Sequence, residues 1–221
     1  MSKSTKKRKL SHKKIIRFII SVLVILLVVK YCTSKITNIY IIGSNRLKDN
    51  DIIELAGLEN YPLIIKTPNF IVKKKLEKSN DIIKAKVYKK GTKIYIEILE
   101  NRPLFYNSNE GYIVMLDKTK IEGNELTPYL SNYIPDTIYD KFVDAMAKVN
   151  EDILKRISEI TYNPNSVDEE RFYLTMSDGN YVYLTLNNFD RINSYIEMIK
   201  QFNGKTGILY LDSGEYFEIK N

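Results

Sequence analysis

The side chains that ordinarily do chemistry are unevenly supplied in this chain of 221 residues: one histidine, one cysteine, 27 acids and 17 tyrosines. His12 lies in a basic stretch before an apolar run, and Cys32 lies directly after that run. Everything beyond residue 35 lacks both imidazole and thiol. That removes Ser-His-Asp triads, Cys-His nucleophiles and His/Cys zinc sites from the outer part of the chain. Carboxylate-only hydrolysis needs just Asp and Glu, but none stands in a recognisable motif, and solvated surface charge accounts for them better. No glycine loop of the phosphate-cradling kind is present. The residue types therefore nominate no catalytic residue, no cofactor and no metal ligand.

Binding through the backbone needs none of these groups. Ile208–Leu211 and Glu215–Ile219 have strand character and flank Asp212-Ser213-Gly214. A last strand often lies at a sheet edge, where unpaired N–H and C=O groups can accept a strand from another chain. The candidate partner-binding residues are Tyr210, Leu211, Asp212, Ser213, Gly214, Glu215, Tyr216 and Phe217, with Tyr216 or Phe217 as anchors. The alternative for each aromatic is that it only closes the core.

The element that places this region is Ile15–Tyr31, 17 residues broken only by Arg17, Ser21 and Lys30. As a helix it covers roughly 26 Å, close to the ~30 Å hydrocarbon core of a bilayer. Arg17 and Lys30 stand where long side chains reach the headgroups. Residues 1–35 carry ten Lys and Arg and no acid, which leaves 24 basic against 27 acidic residues beyond. The basic flank predicts a cytoplasmic tail (residues 1–14) and an outer body from about Lys35. A nucleic-acid binder would carry its positive charge on the folded part instead. A cleaved signal peptide and a lipid-modified Cys32 are rival readings of the run; both call for small residues where Lys30 and Tyr31 stand. A single cysteine allows no internal disulfide, so the outer 186 residues rely on buried apolar surface.

Past the anchor, Ile36–Ile42 reads as a strand and Gly43-Ser44-Asn45 as a turn. A helix follows with Asp49 as N-cap, Ile52, Ile53 and Leu55 buried, and Gly57 closing it. Thr67 and Pro68 open a second helix, with Val72 and Leu76 on its buried face and Lys73-Lys74-Lys75 solvated. Ile83, Ala85 and Val87, then Ile94, Ile96 and Ile98, alternate with polar neighbours around Lys90-Gly91. This predicts a β-α-α-β-β unit ending near Arg102-Pro103. Beyond it, short strands (Leu104–Asn107, Tyr112–Leu116), a helix carrying Ile138, Phe142, Met146 and Val149, and a short helix at Asp152–Arg156 come first. A strand near Ile157–Tyr162, a hairpin at Asp178-Gly179 and a long helix through Phe189, Ile192, Ile196, Ile199 and Phe202 to Gly204 complete the pattern. The fold class expected is α+β, with a largely antiparallel sheet in the second unit.

In this order the elements resemble the FtsQ/DivIB family of bacterial cell-division proteins over nearly the whole chain. Ile39-Tyr40-Ile41-Ile42-Gly43-Ser44-Asn45 with Asp51-Ile52-Ile53 is similar to the opening of that family's POTRA module. Leu76-Glu77, Ile82, Ala85 and Val87 match its helix-to-strand step. Glu100 and Pro103 sit at its exit motif, with Arg102 one place late. Leu130-Ser131, Ile157-Ser158-Glu159-Ile160, Asp178-Gly179-Asn180 and Gly207–Leu211 running into Gly214-Glu215-Tyr216-Phe217 resemble the DivIB branch. The resemblance implies a non-enzymatic divisome component of the cytoplasmic membrane, gathered at the septum. It implies partnership with two small coiled-coil proteins, FtsL and DivIC (the FtsB counterpart), and influence on the septal peptidoglycan synthesis machinery. It also implies a POTRA-like domain at 36–103, a C-terminal domain at 104–221, and use of the last strand to hold the DivIC/FtsB partner. The rival functions are a single-pass sensor or cell-wall-binding module, which needs aromatics lining a groove, and an anchored enzyme, which lacks a motif.

Overall fold

A computed structural model describes residues 12–123 and 127–220. Most of the basic tail, including Lys3, Lys6, Lys7, Arg8 and Lys9, lies outside the described residues. The chain divides between Glu100 and Asn101 into two compact units.

The first unit begins with α1 (His12–Cys32), 21 residues long and apolar enough to cross a membrane. None of its side chains is buried by the rest of the described chain. A helix this apolar with no protein around it has a bilayer as its matching solvent. A three-stranded sheet follows, ordered β1-β3-β2: β1 (Asn38–Ile42), β2 (Ile82–Lys90) and β3 (Lys93–Glu100). β1 lies parallel to the central β3, and β2 is antiparallel to it. Helices α2 (Asp49–Ala56) and α3 (Asn69–Leu76) intervene between β1 and β2. Ile52, Val72, Leu76, Ile94 and Ile96 are sealed in the core between helices and sheet. Gly57 closes α2 in the left-handed conformation, φ 66°, as its glycine predicts.

Four local expectations change in this unit. Leu55 is exposed, because the buried stripe of α2 runs through Ile52, Ile53 and Ala56, about 100° around the helix from Leu55. Asp49 is the first helical residue and Lys48 takes the cap position; a carboxylate in the first turn still suits the helix dipole. Pro68, not Thr67, occupies the cap of α3. The Thr67 hydroxyl instead donates back to the Ile64 carbonyl (3.1 Å), closing a short 3-10 turn at Ile64–Lys66. Ile82 rather than Ile83 enters the core, because the pairing slips between Ile82 and Lys84. The extra residue of such a bulge flips the side-chain alternation before it.

The Glu100 carboxylate is buried and accepts the backbone N–H groups of Arg46 (3.0 Å) and Leu47 (3.0 Å). It ties the loop after β1 to the end of β3. Hydrogen bonds to a charged acceptor are worth about 1.5–3 kcal/mol each in net terms. Glu100→Ala is expected to destabilise the first unit by about 3 kcal/mol, read as a loss of amide-exchange protection in β1 and β3. Glu100→Gln, which keeps an acceptor, should recover part of it.

The second unit is built on nine strands ordered β12-β11-β10-β9-β8-β7-β4-β5-β6. In chain order they are β4 (Pro103–Asn107), β5 (Tyr112–Met115), β6 (Lys120–Ile121), β7 (Tyr129–Leu130), β8 (Ile157–Tyr162), β9 (Arg171–Met176), β10 (Tyr181–Thr185), β11 (Gly207–Tyr210) and β12 (Tyr216–Ile219). The pairs β4/β7, β7/β8 and β10/β11 are parallel and the other five antiparallel. Helix α4 (Asp136–Ala147) buries Ile138, Phe142 and Met146 on one stripe. A short helix α5 (Glu151–Leu154) leads into β8. The Arg102 guanidinium donates to the carbonyls of Ala147 (3.2 Å), the last residue of α4, and of Val149 (2.7 Å) just past it, satisfying groups left open at a helix end.

The long helix expected through Phe202 is two pieces. Leu186–Ser194 winds as a tight 3-10 stretch interrupted at Asn188, and α6 (Tyr195–Lys200) follows. A period of three places Phe189, Ile192 and Tyr195 on one face, and all three are buried. An α-helical period selects Ile196 in place of Tyr195, which is where the reading by 3.6 goes astray. The Tyr195 hydroxyl donates to the Asp178 carboxylate (2.8 Å), pinning the Asp178-Gly179 turn.

Candidate functional site

β12 is an outermost strand of the large sheet and, among the described residues, pairs only with β11. Its register sets Tyr216 against Tyr210, Phe217 against Leu209 and Glu218 against Ile208. Just past β12, the Lys220 N–H donates to the Thr206 carbonyl (3.0 Å). Antiparallel backbone groups alternate in direction. The N–H and C=O groups of Tyr216 and Glu218 therefore turn toward β11, and those of Phe217 and Ile219 turn away from the sheet. The open edge thus offers two donors and two acceptors at the spacing of a β-ladder.

The two faces of β12 differ. Toward the core, Phe217 stacks on Phe202 with ring centroids 4.2 Å apart. Met198, Gln201, Phe202, Leu209, Glu215, Tyr216 and Phe217 line a shallow hollow beside the strand. On the opposite face, five tyrosines from four strands stand side by side. Tyr181, Tyr173, Tyr183, Tyr210 and Tyr216 follow one another at centroid spacings of 5.5, 4.7, 5.4 and 4.4 Å. Each inner ring packs between two neighbouring rings, and the Arg171 guanidinium lies 3.7 Å from the Tyr183 centroid. Tyr216 ends the row at the open edge and is 51% exposed. The Tyr210 hydroxyl donates to the Glu218 carboxylate (2.9 Å), an acceptor that pushes its pKa up to about 12, with burial adding to the effect.

The eight candidate residues thus fall into different settings. Tyr216 and Phe217 lie on the edge strand itself, on opposite faces. Tyr210 belongs to the neighbouring strand and carries the tyrosine row to the edge. Leu211 is fully buried, its N–H donating to the Tyr183 carbonyl (2.7 Å). Asp212 accepts the Arg171 Nε–H at 2.7 Å, a pair with both side chains largely out of solvent. Ser213 donates to Asp212 (3.2 Å). The Gly214 carbonyl accepts from Arg191 (3.2 Å), and Glu215 forms an ion pair with the same guanidinium. Leu211 to Glu215 thus hold the turn that delivers β12.

Sequence reasoning missed Arg171 and Arg191, which fix this turn from elsewhere in the chain. It placed Phe202 on a helix stripe and Gly207 in a branch motif but gave neither a part in the site. A Cβ at Gly207 would lie 2.1 Å from the Glu218 carbonyl oxygen and 2.8 Å from the Phe217 ring, so only glycine lets β12 come this close. The signal available for Gly207 was a glycine opening a strand-like run, which marks close backbone approach.

A long apolar N-terminal helix, a small β-α-α-β-β unit and a nine-stranded sheet with an open edge define a mixed α+β protein. The chain is similar to cell division protein DivIB of Listeria monocytogenes serovar 1/2a, 27% identical over 231 residues that cover 96% of this chain and 85% of that one. It is likewise similar to cell division protein DivIB of Bacillus subtilis strain 168, 28% identical over 233 residues covering 98% of this chain and 87% of the relative. The solved major extracytoplasmic domain of DivIB from Geobacillus stearothermophilus matches 43% of this chain and 87% of its own, with 22% identity and a TM-score of 0.38. No family model matches the chain. The relatives bear out the resemblance to the DivIB branch of the FtsQ/DivIB family and support a role in cell division.

Proposed function

We propose that this chain is a non-enzymatic, single-pass divisome scaffold whose β12 edge captures a strand from a DivIC/FtsB-type partner. The domain division expected above, with a POTRA-like unit at 36–103, belongs to the same proposal. In it, α1 crosses the cytoplasmic membrane, the basic tail stays inside, and both units face outward at the septum. FtsL-type coiled-coil proteins and the septal peptidoglycan synthesis machinery complete the assembly. The observation that carries the reading is the open edge of β12, with Phe217 and Ile219 aiming their backbone groups away from the sheet. An added strand would gain a ladder of backbone bonds, the hollow beside Phe217 would take one of its side chains, and Tyr216 would meet another.

Ile219→Pro tests this directly. It removes an outward N–H, leaves the inward bonds to β11 intact, and suits an edge position. Its expected effect is a loss of partner affinity of about tenfold or more with an unchanged unfolding temperature. Glu218→Pro, which removes an inward N–H, should also loosen β12. Undiminished capture by Ile219→Pro would count against strand addition. Tyr216→Ala should weaken binding about three- to tenfold, since one cross-strand aromatic contact is worth about 0.5–1.5 kcal/mol.

The tyrosine row weighs against a cell-wall-binding module. Its inner rings pack against one another and the Arg171 guanidinium covers Tyr183, which leaves little free ring face for a sugar; the hollow lined by Tyr112, Tyr133 and Tyr139 shares no residue with this row.

A further inference from the structure

We propose that the underside of the first unit docks on the outer leaflet, taking anionic lipid headgroups at the β2–β3 hairpin tip while the exposed 3-10 turn Ile64–Lys66 enters the leaflet surface beside it; this rests on the reading of α1 as a bilayer span.

The helix exit is bonded to both of these segments. The Tyr31 hydroxyl donates to the Gly91 carbonyl (2.9 Å), and the Thr37 N–H to the Thr92 carbonyl (3.0 Å). The Ile64 N–H donates to the Ser34 carbonyl (2.9 Å), and the Ile36 N–H to the Pro62 carbonyl (3.0 Å). Lys89 closes the gap between the segments by donating from its ammonium to the Thr67 carbonyl. Wherever the apolar helix leaves the bilayer, these segments must lie at the headgroups.

Their composition suits that depth. Residues 30–37, 61–66 and 89–93 together hold six lysines and no acid. Lys90 and Lys93 stand directly opposite each other across the hairpin. Like charges so placed repel in water, and a phosphate between them removes the conflict. Both ammonium groups also lie over tyrosine rings, Lys90 at 5.4 Å from the Tyr95 centroid and Lys93 at 5.9 Å from that of Tyr40. Tyrosine beside lysine is the composition of a membrane interface. On the 3-10 turn, Ile65 is 59% exposed next to exposed Lys66. That pairing wastes apolar surface in water and uses it at an acyl boundary. Each lysine near an anionic leaflet adds about fivefold to partitioning at low salt.

The test uses the full chain with Cys32→Ser, carrying a single spin label at Thr92→Cys, Lys78→Cys or Leu26→Cys. Lys78 precedes β2 at the end away from the tip, and the strand itself spans roughly 26 Å. The protein is placed in nanodiscs of phosphatidylcholine, with or without phosphatidylglycerol, and collisions with a water-soluble nickel chelate and with oxygen are measured. With phosphatidylglycerol present, nickel access at Thr92 should fall about fivefold below that at Lys78. High salt, or Lys66→Gln with Lys90→Gln and Lys93→Gln, should restore access, and Ile65→Ser should restore part of it. Equal nickel access at Thr92 and Lys78 in anionic discs, or shielding that ignores lipid charge and the lysine variant, overturns the docking. A Leu26 label shielded from nickel in that case leaves the membrane span standing. Nickel reaching Leu26 overturns the span itself and the docking with it.

Discussion

Gly207→Val is expected to lower affinity for the proposed DivIC-type partner by roughly a hundredfold while the second unit stays folded. The reason is steric and local. The smallest side chain at position 207 would place its first carbon 2.1 Å from the Glu218 carbonyl oxygen, inside any tolerable contact. The neighbour that must move is backbone, so relief comes from pushing β12 off β11. The rest of the sheet does not depend on that strand, because β11 is also held by β10 along Tyr181, Val182 and Tyr183. The Gly207 N–H donates to the Asn180 side chain (2.9 Å), which keeps β11 in place as β12 leaves. Fast amide exchange confined to 216–220, together with lost capture, is the predicted pair of observations. Full capture by a variant with a displaced β12 would place the binding surface elsewhere.

Phe142→Ala should cost about 3–5 kcal/mol, the largest stability effect expected of any single truncation here. Phe142 is fully buried and lies 4.8 Å from Phe172, 5.0 Å from Phe105 and 6.0 Å from Phe189, centroid to centroid. It therefore joins α4, β4, β9 and the 3-10 stretch in one aromatic cluster. Removing it leaves a cavity that the remaining rings, fixed on three other elements, cannot close, and a chain without internal disulfides has no covalent staple to absorb the loss. Chemical denaturation followed by tyrosine emission should show the second unit's midpoint falling steeply. A loss below about 1 kcal/mol would mean that the cluster collapses around the gap.

Much of the architecture was legible because it rests on period and punctuation. Strict alternation marked Ile94, Ile96 and Ile98, and Asp178-Gly179 marked its hairpin, since both signals are local. The apolar run Ile15–Tyr31 announced α1 by length alone. The failures came where a nonlocal contact or a different period took over. Ile83 was misplaced because the bulge is set by pairing with β3, and pairing leaves no trace in β2 alone. Tyr195 was passed over because a 3-10 stretch repeats every three residues and the pattern was read at 3.6. In the candidate site, the edge position of the last strand could be anticipated but its supports could not. Arg171 and Arg191 are 41 and 24 residues away from the Asp212 and Glu215 carboxylates they hold. No spacing rule joins residues so far apart.

Amide hydrogen exchange on the full chain in lipid nanodiscs, with and without the proposed DivIC-type partner, tests the central claim most directly. If a partner strand adds to the open edge, the Phe217 and Ile219 amides, which face away from the sheet, slow markedly on binding, while those of Tyr216 and Glu218, already bonded to β11, change far less. A bound partner that leaves Phe217 and Ile219 exchanging as fast as in the free protein would contradict it.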